Sequence, residues 1–325
     1  MSGAKILGYG SYYPENIVDN NYLAKIVDTS DEWITKRTGI KERRISSGET
    51  VAQMAAKACQ EAMQKAKCKP EEIDLIIVAT ITPDSVCPST ACIVQDMLGC
   101  KNATCFDISA ACSGFVFSLI TANALIKSGE YKKALVIGGE VLSRIMNWQD
   151  RNTCVLFGDG TGACVLGLSE ENGVLATYTG SDGTLGIKSL TAGKVVPSSK
   201  ICTTIEEVKV DHIWMDGREV FKFSVKMLPQ VVSKLLEKSG LCIDDIKYIV
   251  PHQANLRIVE EAARRLECPI DKFFTNLDKV GNTSGGSIPI ALADMDNRNL
   301  LKKGDKIIIV GFGAGLTWGG ALIEM

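Results

Sequence analysis

Cys112 has the surroundings of a reactive thiol. It lies within residues 109–114, which read SAACSG, and directly before an apolar segment at 115–127 that ends at Gly129. Helices that are apolar on every face are typically buried, and glycine commonly follows their last turn. The sequence therefore predicts that Cys112 lies at the N-terminus of a buried helix. Free backbone N–H groups and the helix dipole are expected there to lower the pKa of the thiol and to favour the thiolate.

The polar partners of this thiol come from a short set of candidates. The chain contains only two histidines, and His252 follows an apolar run at 246–251. His212 lies in a polar, alternating stretch that is typical of a surface strand, and it is interpreted as a solvated residue. Asn282 lies in residues 281–287, GNTSGGS, where an asparagine is either a helix cap or a polar group of a site. His252 is therefore the predicted partner, and both interpretations of Asn282 stay open on the residues alone.

Two glycine-rich segments predict different things. Residues 158–162, GDGTG, have neither the Lys-Ser/Thr ending of a phosphate-binding loop nor the spacing of a dinucleotide fingerprint, so a tight turn is expected there. Residues 311–315, GFGAG, follow a strand. Backbone N–H groups around Phe312, Gly313 and Ala314 can point at a developing negative charge, so this segment is a candidate oxyanion hole.

The elements that must position these residues occur twice in the chain. The strands predicted at 73–80 and 134–139 both recur 173 residues later. Such a constant offset indicates an ancestral duplication. Continuous apolar strands separated by helices are typical of an α/β fold whose sheets are covered on both faces. The sequence therefore predicts two similar α/β halves, residues 1–172 with the cysteine and residues 173–325 with the histidine and the asparagine.

The composition argues against several classes of protein. A formal net charge of −2 disfavours a nucleic-acid-binding protein, which normally carries a basic excess. No apolar stretch reaches the length of about 18 residues that a membrane-spanning helix needs. The first ten residues have no signal-peptide pattern, so a cytoplasmic enzyme is expected. The 12 cysteines form no CxxC pair, which predicts neither disulfides nor a metal site, and most are expected to be packing residues.

These segments together resemble the thiolase-like condensing enzymes, and most closely the β-ketoacyl-acyl-carrier-protein synthase III family. The resemblance runs through the whole chain. It rests on DEWI at 31–34, RTGI at 37–40, the segment around Cys112, FGDG at 157–160, PHQANLR at 251–257, GNTS at 281–284 and TWG at 317–319. It implies a thiolase-like fold in which the two duplicated α/β halves pack into αβαβα layers.

The resemblance also implies a decarboxylative condensation through an acyl-Cys112 intermediate. Cys112 is expected to take an acyl group from acyl-CoA and to release CoA. Malonyl-acyl-carrier protein then loses CO₂, while His252 and Asn282 donate hydrogen bonds to the enolate oxygen. The carbanion attacks the acyl thioester to give 3-oxoacyl-carrier protein, and N–H groups of Cys112 and of residues 313–315 hold the oxyanion. No cofactor is implied, since acyl-CoA and malonyl-acyl-carrier protein are substrates.

The same resemblance implies where the two substrates bind. The residues expected to contact CoA are Trp33, Arg37, Arg151, Gly217 and Arg218. The residues expected to contact acyl carrier protein are Gln253, Ala254, Asn255, Leu256 and Arg257. Arg218 departs from members of the family that have a neutral amide at its position. Cys87 falls where the family places the floor of the acyl pocket, contributed across a homodimer, and its small side chain predicts longer or branched primers.

Three other functions are consistent with part of the pattern. A related condensing enzyme of specialised acyl or polyketide synthesis shares the motifs. A papain-like hydrolase has Cys, His and Asn in this chain order, but its CGSCW context is missing and duplicated halves do not suit it. A catalytically inactive scaffold would not need all three polar residues. Elongating synthases use two histidines and thiolases a second cysteine near the C-terminus, whereas this chain has Asn282 and no cysteine after Cys268.

Overall fold

Long strands form two main sheets, and short strands form two small ribbons. The computed structural model describes residues 3–169, 173–193 and 212–325. The strands in these residues are β1 (Gly3–Tyr12), β2 (Ile17–Asp19), β3 (Glu42–Arg44), β4 (Leu75–Ala79), β5 (Thr104–Ile108), β6 (Lys133–Glu140), β7 (Gly160–Ser169), β8 (Val174–Ser181), β9 (Leu190–Thr191), β10 (Trp214–Met215), β11 (Tyr248–Pro251), β12 (Lys306–Gly313) and β13 (Thr317–Glu324).

Helices alternate with the strands along the chain. They are α1 (Asn20–Leu23), α2 (Asp31–Thr38), α3 (Val51–Lys65), α4 (Thr90–Leu98), α5 (Gly114–Lys127), α6 (Gly183–Ser189), α7 (Gly217–Ser239), α8 (Leu256–Arg265), α9 (Leu277–Val280) and α10 (Ser287–Asn297). Short 3₁₀ turns lie at Pro70–Glu72, Ala111–Ser113, Leu142–Ile145, Ile243–Asp245, Ile270–Lys272 and Ser284–Gly286. None of the helices in the described residues is long and apolar enough to cross a membrane.

The two main sheets repeat one strand order. In the first sheet the order is β1, β7, β6, β4 and β5, and in the second it is β8, β13, β12 and β11. In each sheet the inner pair, β6 with β4 or β12 with β11, is parallel, and the remaining strands of the repeated order are antiparallel. The strands β11 and β12 begin 173 residues after β4 and β6, at Tyr248 and Lys306.

Helices α5 and α10 lie between the two sheets. Their apolar residues share one core with β4, β6 and β7 of the first sheet and with β11, β12 and β13 of the second. A second core joins the first sheet to α3 and α4, and a third joins the second sheet to α7 and α8. The predicted αβαβα layering is therefore confirmed. The central helices bury all their faces because they contact a sheet on either side.

The predicted elements differ from the observed ones mainly at their ends. The strand predicted at 73–80 spans Leu75–Ala79, because the 3₁₀ turn at Pro70–Glu72 delays its start. The predicted boundary between residues 172 and 173 falls beside residues 170–172, which lie outside the described residues. The division of the chain at that position stays a prediction.

Candidate active site

Cys112 lies in the 3₁₀ turn that leads directly into α5. Ala111, just before it, has a φ of +45°, a left-handed conformation that residues other than glycine rarely adopt. Cys112 is only 7% exposed. It faces a pocket of about 90 Å³ whose lining also includes His252 and Asn282. The three residues predicted to be catalytic are thus brought together, although they come from opposite halves of the chain.

Asn282 is held by both its backbone and its side chain. Its N–H donates to the carbonyl of Leu156 at 2.9 Å, and its own carbonyl accepts from the N–H of Gly158 at 3.0 Å. Its Oδ1 accepts from the N–H of Ser284 at 2.9 Å. Because the oxygen is engaged, the amide nitrogen is the group left to donate into the pocket. The glycine-rich turn at 158–162 therefore anchors this residue.

His252 follows β11 and is fixed on three sides. Its N–H donates to the carbonyl of Val310 at 2.7 Å. Its ring packs edge-on against Phe312, with centroids 5.3 Å apart, and its Nδ1 lies 2.8 Å from the hydroxyl of Ser287. Burial lowers the pKa of His252 to about 3, so the imidazole is neutral near pH 7. A neutral imidazole offers one donor and one acceptor.

The protonation of Cys112 differs from the sequence-based expectation. Burial raises the pKa of the thiol to about 11; the hydrogen bond to the hydroxyl of Ser284, at 3.4 Å, opposes this rise, and the Glu140 carboxylate adds to it. The prediction that the helix N-terminus lowers this pKa is wrong for the free enzyme, because desolvation of the thiolate outweighs it. Cys112 is therefore a protonated thiol at rest.

The candidate oxyanion segment lies directly against Cys112. A Cβ atom built on Gly313 would be 2.8 Å from the Cβ of Cys112 and 2.9 Å from its sulfur. Carbon atoms that are not bonded pack at about 3.5 Å or more, so only glycine fits here. Phe312 is buried, and the carbonyl of half-buried Ala314 accepts from the Thr317 hydroxyl at 3.0 Å. The backbone of residues 312–314 thus reaches the reacting sulfur.

Two guanidinium groups lie over the indole ring of Trp33 in the predicted CoA region. The guanidinium carbons of Arg37 and Arg151 lie 4.7 and 5.4 Å from the ring centroid. Arg151 also donates to the backbone carbonyl of Asp28 at 2.7 Å and to its carboxylate at 3.2 Å. The structure therefore joins these three predicted residues in one cluster, which we call the Trp33 cluster (Trp33, Arg37 and Arg151).

The Trp33 cluster borders a wide surface cavity of about 780 Å³. The residues that line it are Ser30, Glu32, Trp33, Lys36, Arg37 and Arg257. Gly217, at the start of α7, lines the smaller pocket of the catalytic residues. Arg218 is exposed beside it, and its backbone N–H donates to the N-cap residue Asp216 at 3.0 Å. No contact of the Arg218 side chain supports or opposes its predicted CoA role.

Only part of the predicted carrier-protein segment faces solvent. Gln253 is 1% exposed, and its Oε1 accepts a backbone hydrogen bond at 2.7 Å. Ala254 and Asn255 line the catalytic pocket, and Leu256 packs against the hydrophobic cluster around α2. Arg257 is exposed at the rim of the surface cavity. Gln253 is therefore an internal support of the segment, and Arg257 is the residue available to a protein.

Cys87 lies in an exposed loop before α4. Its neighbour Val86 is fully exposed, and the Cys87 thiol is exposed as well. Neither residue lines the pocket of Cys112 within the described part of one chain. The predicted contribution of Cys87 to an acyl pocket therefore requires a second subunit.

Glu140 is a buried acid that the sequence gave no reason to select. It ends β6, and its carboxylate accepts hydrogen bonds from the hydroxyl of Thr80, the N–H of Ile81, and both the N–H and the hydroxyl of Thr82. Burial raises the pKa of Glu140 to about 7 despite these donors. The residue ties the end of β6 to the loop after β4, beneath the cysteine turn.

Ser284 and Ser287 connect the catalytic residues and were also missed. Ser284 contacts Cys112 through its hydroxyl, and its carbonyl accepts from the hydroxyl of Ser287 at 2.9 Å. The duplication contained the signal, because these serines lie 173 residues after Ala111 and Gly114, on either side of the cysteine turn. Residues of one half that correspond to the surroundings of a nucleophile in the other half are candidates for the same site.

Two sheets with the same strand order meet at this pocket, and each half contributes catalytic groups from equivalent turns. This arrangement defines the class of thiolase-like condensing enzymes, which transfer acyl groups. The site is thus consistent with the fold, and the comparisons with known proteins identify the family within that class.

The family model described as 3-oxoacyl-[acyl-carrier-protein (ACP)] synthase III matches residues 106–183, and the model of its C-terminal part matches residues 236–325. A beta-ketoacyl-[acyl-carrier-protein] synthase III of Clostridium acetobutylicum is 55% identical, over 100% of this chain and 99% of the relative. The 3-oxoacyl-[acyl-carrier-protein] synthase III of Aquifex aeolicus superposes with a TM-score of 0.92 at 47% identity, over 99% of this chain and 100% of that chain. The chain belongs to the 3-oxoacyl-[acyl-carrier-protein] synthase III family of condensing acyltransferases.

The same comparisons decide between the remaining functions. Membership of this family excludes the papain-like hydrolase. The priming β-ketosynthase of the R1128 polyketide pathway has a TM-score of 0.92 but only 35% identity, over 99% of this chain and 96% of that chain. The higher identity of the synthase III relatives favours fatty-acid initiation over specialised synthesis.

Proposed function

We propose that this enzyme condenses an acyl-CoA primer with malonyl-acyl-carrier protein through an acyl-Cys112 intermediate, and so initiates fatty-acid synthesis. The observation that carries the proposal is the meeting of Cys112, His252 and Asn282 in one buried pocket. Curated relatives that are 55% and 54% identical over the whole chain carry the name beta-ketoacyl-[acyl-carrier-protein] synthase III.

In the first half-reaction, Cys112 attacks the thioester carbon of acyl-CoA. A new carbon–sulfur bond forms, the bond to the CoA sulfur breaks, and the thiol proton ends on that sulfur. The pKa of Cys112 is about 11 and His252 is neutral, so the thiolate is scarce at rest. We therefore expect the proton to pass to His252 as the attack occurs, because a free thiolate in this enclosed pocket is costly.

In the second half-reaction, malonyl-acyl-carrier protein loses CO₂ and its electrons move into an enolate. His252 and the amide nitrogen of Asn282 donate to the enolate oxygen, a role for which the engaged Oδ1 orients the amide. The enolate carbon attacks acyl-Cys112, and N–H groups of Cys112 and of the Gly313 segment stabilise the oxyanion. Such donors are typically worth about 3 to 4 kcal/mol each. The cysteine leaves and takes up a proton.

The mouth of the pocket suits two anionic substrates. In the Trp33 cluster, the indole can stack on an adenine ring while the guanidinium groups meet phosphates. Lys36 and Arg257 add positive charge beside it, at the rim of the same cavity. An acidic carrier protein is attracted to such a local basic surface even though the enzyme carries a net charge of −2. We assign the Trp33 cluster to CoA and Arg257 to the carrier protein.

A homodimer completes the proposal. Within the described residues, β5 pairs only with β4, so one edge of the first sheet carries unpaired backbone groups. An unpaired edge of this kind favours pairing with another chain. The exposed loop with Val86 and Cys87 precedes the helix next to this edge. The absence of a cofactor and the cytoplasmic location predicted from the sequence remain predictions.

The test measures acyl transfer to the enzyme by intact-protein mass. The wild-type chain is incubated with acetyl-, butyryl- and isobutyryl-CoA, and malonyl-acyl-carrier protein is then added. We expect one acyl adduct per chain, which malonyl-acyl-carrier protein discharges as 3-oxoacyl-carrier protein. Cys112→Ala should form no adduct.

Cys242→Ala is the matched control, because Cys242 is an exposed thiol outside the pocket. This variant should load the acyl group as the wild type does. An adduct that persists in Cys112→Ala would exclude Cys112 as the acyl carrier. An adduct that water removes as fast as malonyl-acyl-carrier protein does would indicate a hydrolase instead.

A further inference from the structure

The hydroxyl of Ser287 lies between two partners that make opposite demands on it. It is 2.8 Å from Nδ1 of His252 and 2.9 Å from the carbonyl oxygen of Ser284. Ser287 is the first residue of α10 and is 2% exposed, as is His252. A carbonyl oxygen only accepts hydrogen bonds, whereas an imidazole nitrogen either donates or accepts. The position of the hydroxyl proton therefore decides what Nδ1 must do.

Two arrangements satisfy every polar group. If the hydroxyl donates to the Ser284 carbonyl, its lone pair faces Nδ1, which must carry the ring proton and leaves Nε2 as an acceptor. If the hydroxyl donates to Nδ1 instead, the ring proton lies on Nε2. The Ser284 carbonyl is satisfied in both cases, because the backbone N–H of Ser287 also donates to it. The hydroxyl can thus rotate without leaving a buried acceptor unpaired.

The choice concerns the tautomer of His252 and not its charge. The pKa of His252 is about 3, so the ring stays neutral in either arrangement. Phe312 packs edge-on against the ring at 5.3 Å and offers no hydrogen bond that would compete. Ser287 is the side chain recorded as a hydrogen-bond partner of the ring in the described structure.

We propose that Ser287 is a positioning residue that sets the tautomer of His252, with the ring proton on Nδ1 in the free enzyme. In that state Nε2 is an acceptor, as the first half-reaction requires when the Cys112 thiol loses its proton. The second half-reaction requires a donor at Nε2. Rotation of the Ser287 hydroxyl stabilises that tautomer after CoA has left and water has exchanged the ring proton. This proposal rests on the roles proposed above for Cys112 and His252.

The direct test is nitrogen-15 NMR of the free enzyme labelled at histidine. The chain has only two histidines, and His212 is exposed, so its signals provide a solvated reference for the buried ring. We expect the wild-type His252 to be protonated on Nδ1. Ser287→Ala should move the proton to Nε2, because Nδ1 loses its acceptor. A wild-type ring protonated on Nε2, or one whose tautomer is the same in Ser287→Ala, would overturn the proposal.

Ser284→Ala is the matched control for this measurement. It removes the hydroxyl that contacts Cys112 but keeps the carbonyl that receives the Ser287 hydroxyl. Its His252 tautomer should match that of the wild type. A tautomer change in Ser284→Ala as large as that in Ser287→Ala would indicate a general loosening of the site and would contradict a specific role for Ser287.

The kinetic test separates the two half-reactions. Ser287→Ala should slow acyl transfer from acyl-CoA by about tenfold, the effect of losing one well-placed hydrogen bond, because Nε2 no longer accepts. Release of CO₂ from malonyl-acyl-carrier protein should fall by less than about threefold, since an Nε2 donor is retained. Equal losses in both steps would contradict the tautomer role while leaving the function intact. Acyl loading in Cys112→Ala would instead refute the function on which the proposal rests.

Discussion

Cys112 and His252 are both enclosed, and this enclosure moves their pKa values apart. Burial raises the pKa of the thiol to about 11 and lowers that of the imidazole to about 3. A thiolate–imidazolium pair requires the opposite order, with the thiol more acidic than the imidazolium. The resting site is therefore neutral, and the nucleophile is generated when the substrate carbonyl is present. This arrangement also differs from a cysteine that is ionised before its substrate arrives.

Alkylation of Cys112 by iodoacetamide should follow this protonation. Because the pKa lies near 11, about one thiol in ten thousand is ionised at pH 7. The rate should rise about tenfold per pH unit from pH 7 to 10, since only the thiolate reacts. Peptide mass spectrometry of the free enzyme measures the rate at Cys112, with exposed Cys242 as an internal reference for the reagent. A rate that levels off below pH 8 would show instead that Cys112 forms an ion pair.

Two equivalent turns are the elements that build the site. The turns at Ala111–Ser113 and Ser284–Gly286 lie 173 residues apart, and each precedes a central helix. Ala111 and Ser284, their first residues, both have a positive φ, of +45° and +48°. Such strain at non-glycine residues is typical of functional sites, where the surrounding structure holds the backbone in place. The duplicated element thus gives a nucleophile in one half and a hydrogen-bonding turn in the other.

The close contact between β12 and the cysteine turn yields a second prediction. Gly313→Ala places a methyl group 2.8 to 2.9 Å from the side-chain atoms of Cys112, so the thiol or the strand must shift. A shift of about 1 Å at a reacting group can cost about a hundredfold in rate. We expect acyl loading to fall by about that factor, as measured by intact mass over time. Gly183→Ala is the control, because no atom lies within 4 Å of its added Cβ.

A folded Gly313→Ala enzyme that loads acyl groups at the wild-type rate would contradict this geometry. The unfolding temperatures of the two variants provide the necessary check, since the control should match the wild type. A large loss of stability in Gly313→Ala alone would mean that the strand has moved away from Cys112. Acyl loading at the wild-type rate by such a variant would show that the close contact is not needed for catalysis.

Sequence patterns predicted the elements better than the contacts between them. The apolar runs and the 173-residue offset located the strands and central helices, because burial on both faces leaves a direct trace in composition. The raised pKa of Cys112 was not predictable, since it depends on enclosure by the second half of the chain. The role of Ser287 depends on two distances of less than 3 Å, and the burial of Gln253 depends on the backbone that it supports. Neither follows from residue type.

At the scale of the whole molecule, the pocket of one chain is incomplete at its acyl end. Cys87 is exposed within its own chain and does not line the pocket of Cys112 in the described residues. Pairing through the free edge of β5 would bring the loop with Val86 and Cys87 to a second chain. We therefore expect each acyl pocket to use Cys87 of the partner subunit.

Cys87→Phe should convert the enzyme to one that accepts small primers only. The larger ring would occupy the space that a branched acyl group needs. A pocket discriminates by about tenfold or more for each methylene that no longer fits. We expect loading of isobutyryl-CoA to fall at least about tenfold relative to acetyl-CoA in Cys87→Phe, as measured by the intact-mass assay. A wild type that already prefers acetyl-CoA to isobutyryl-CoA would contradict the predicted role of the small side chain.

A mixed dimer tests whether Cys87 acts across the interface. Chains with Cys87→Phe and chains with Cys112→Ala are co-expressed with different tags, and heterodimers are isolated by both tags. The Cys87→Phe chain keeps its nucleophile, and the partner subunit's Cys87 is intact. It should therefore load isobutyryl groups at the wild-type rate, although the Cys87→Phe homodimer does not. If that chain stays blocked in the heterodimer, the phenylalanine acts within its own chain and the pocket does not depend on a partner.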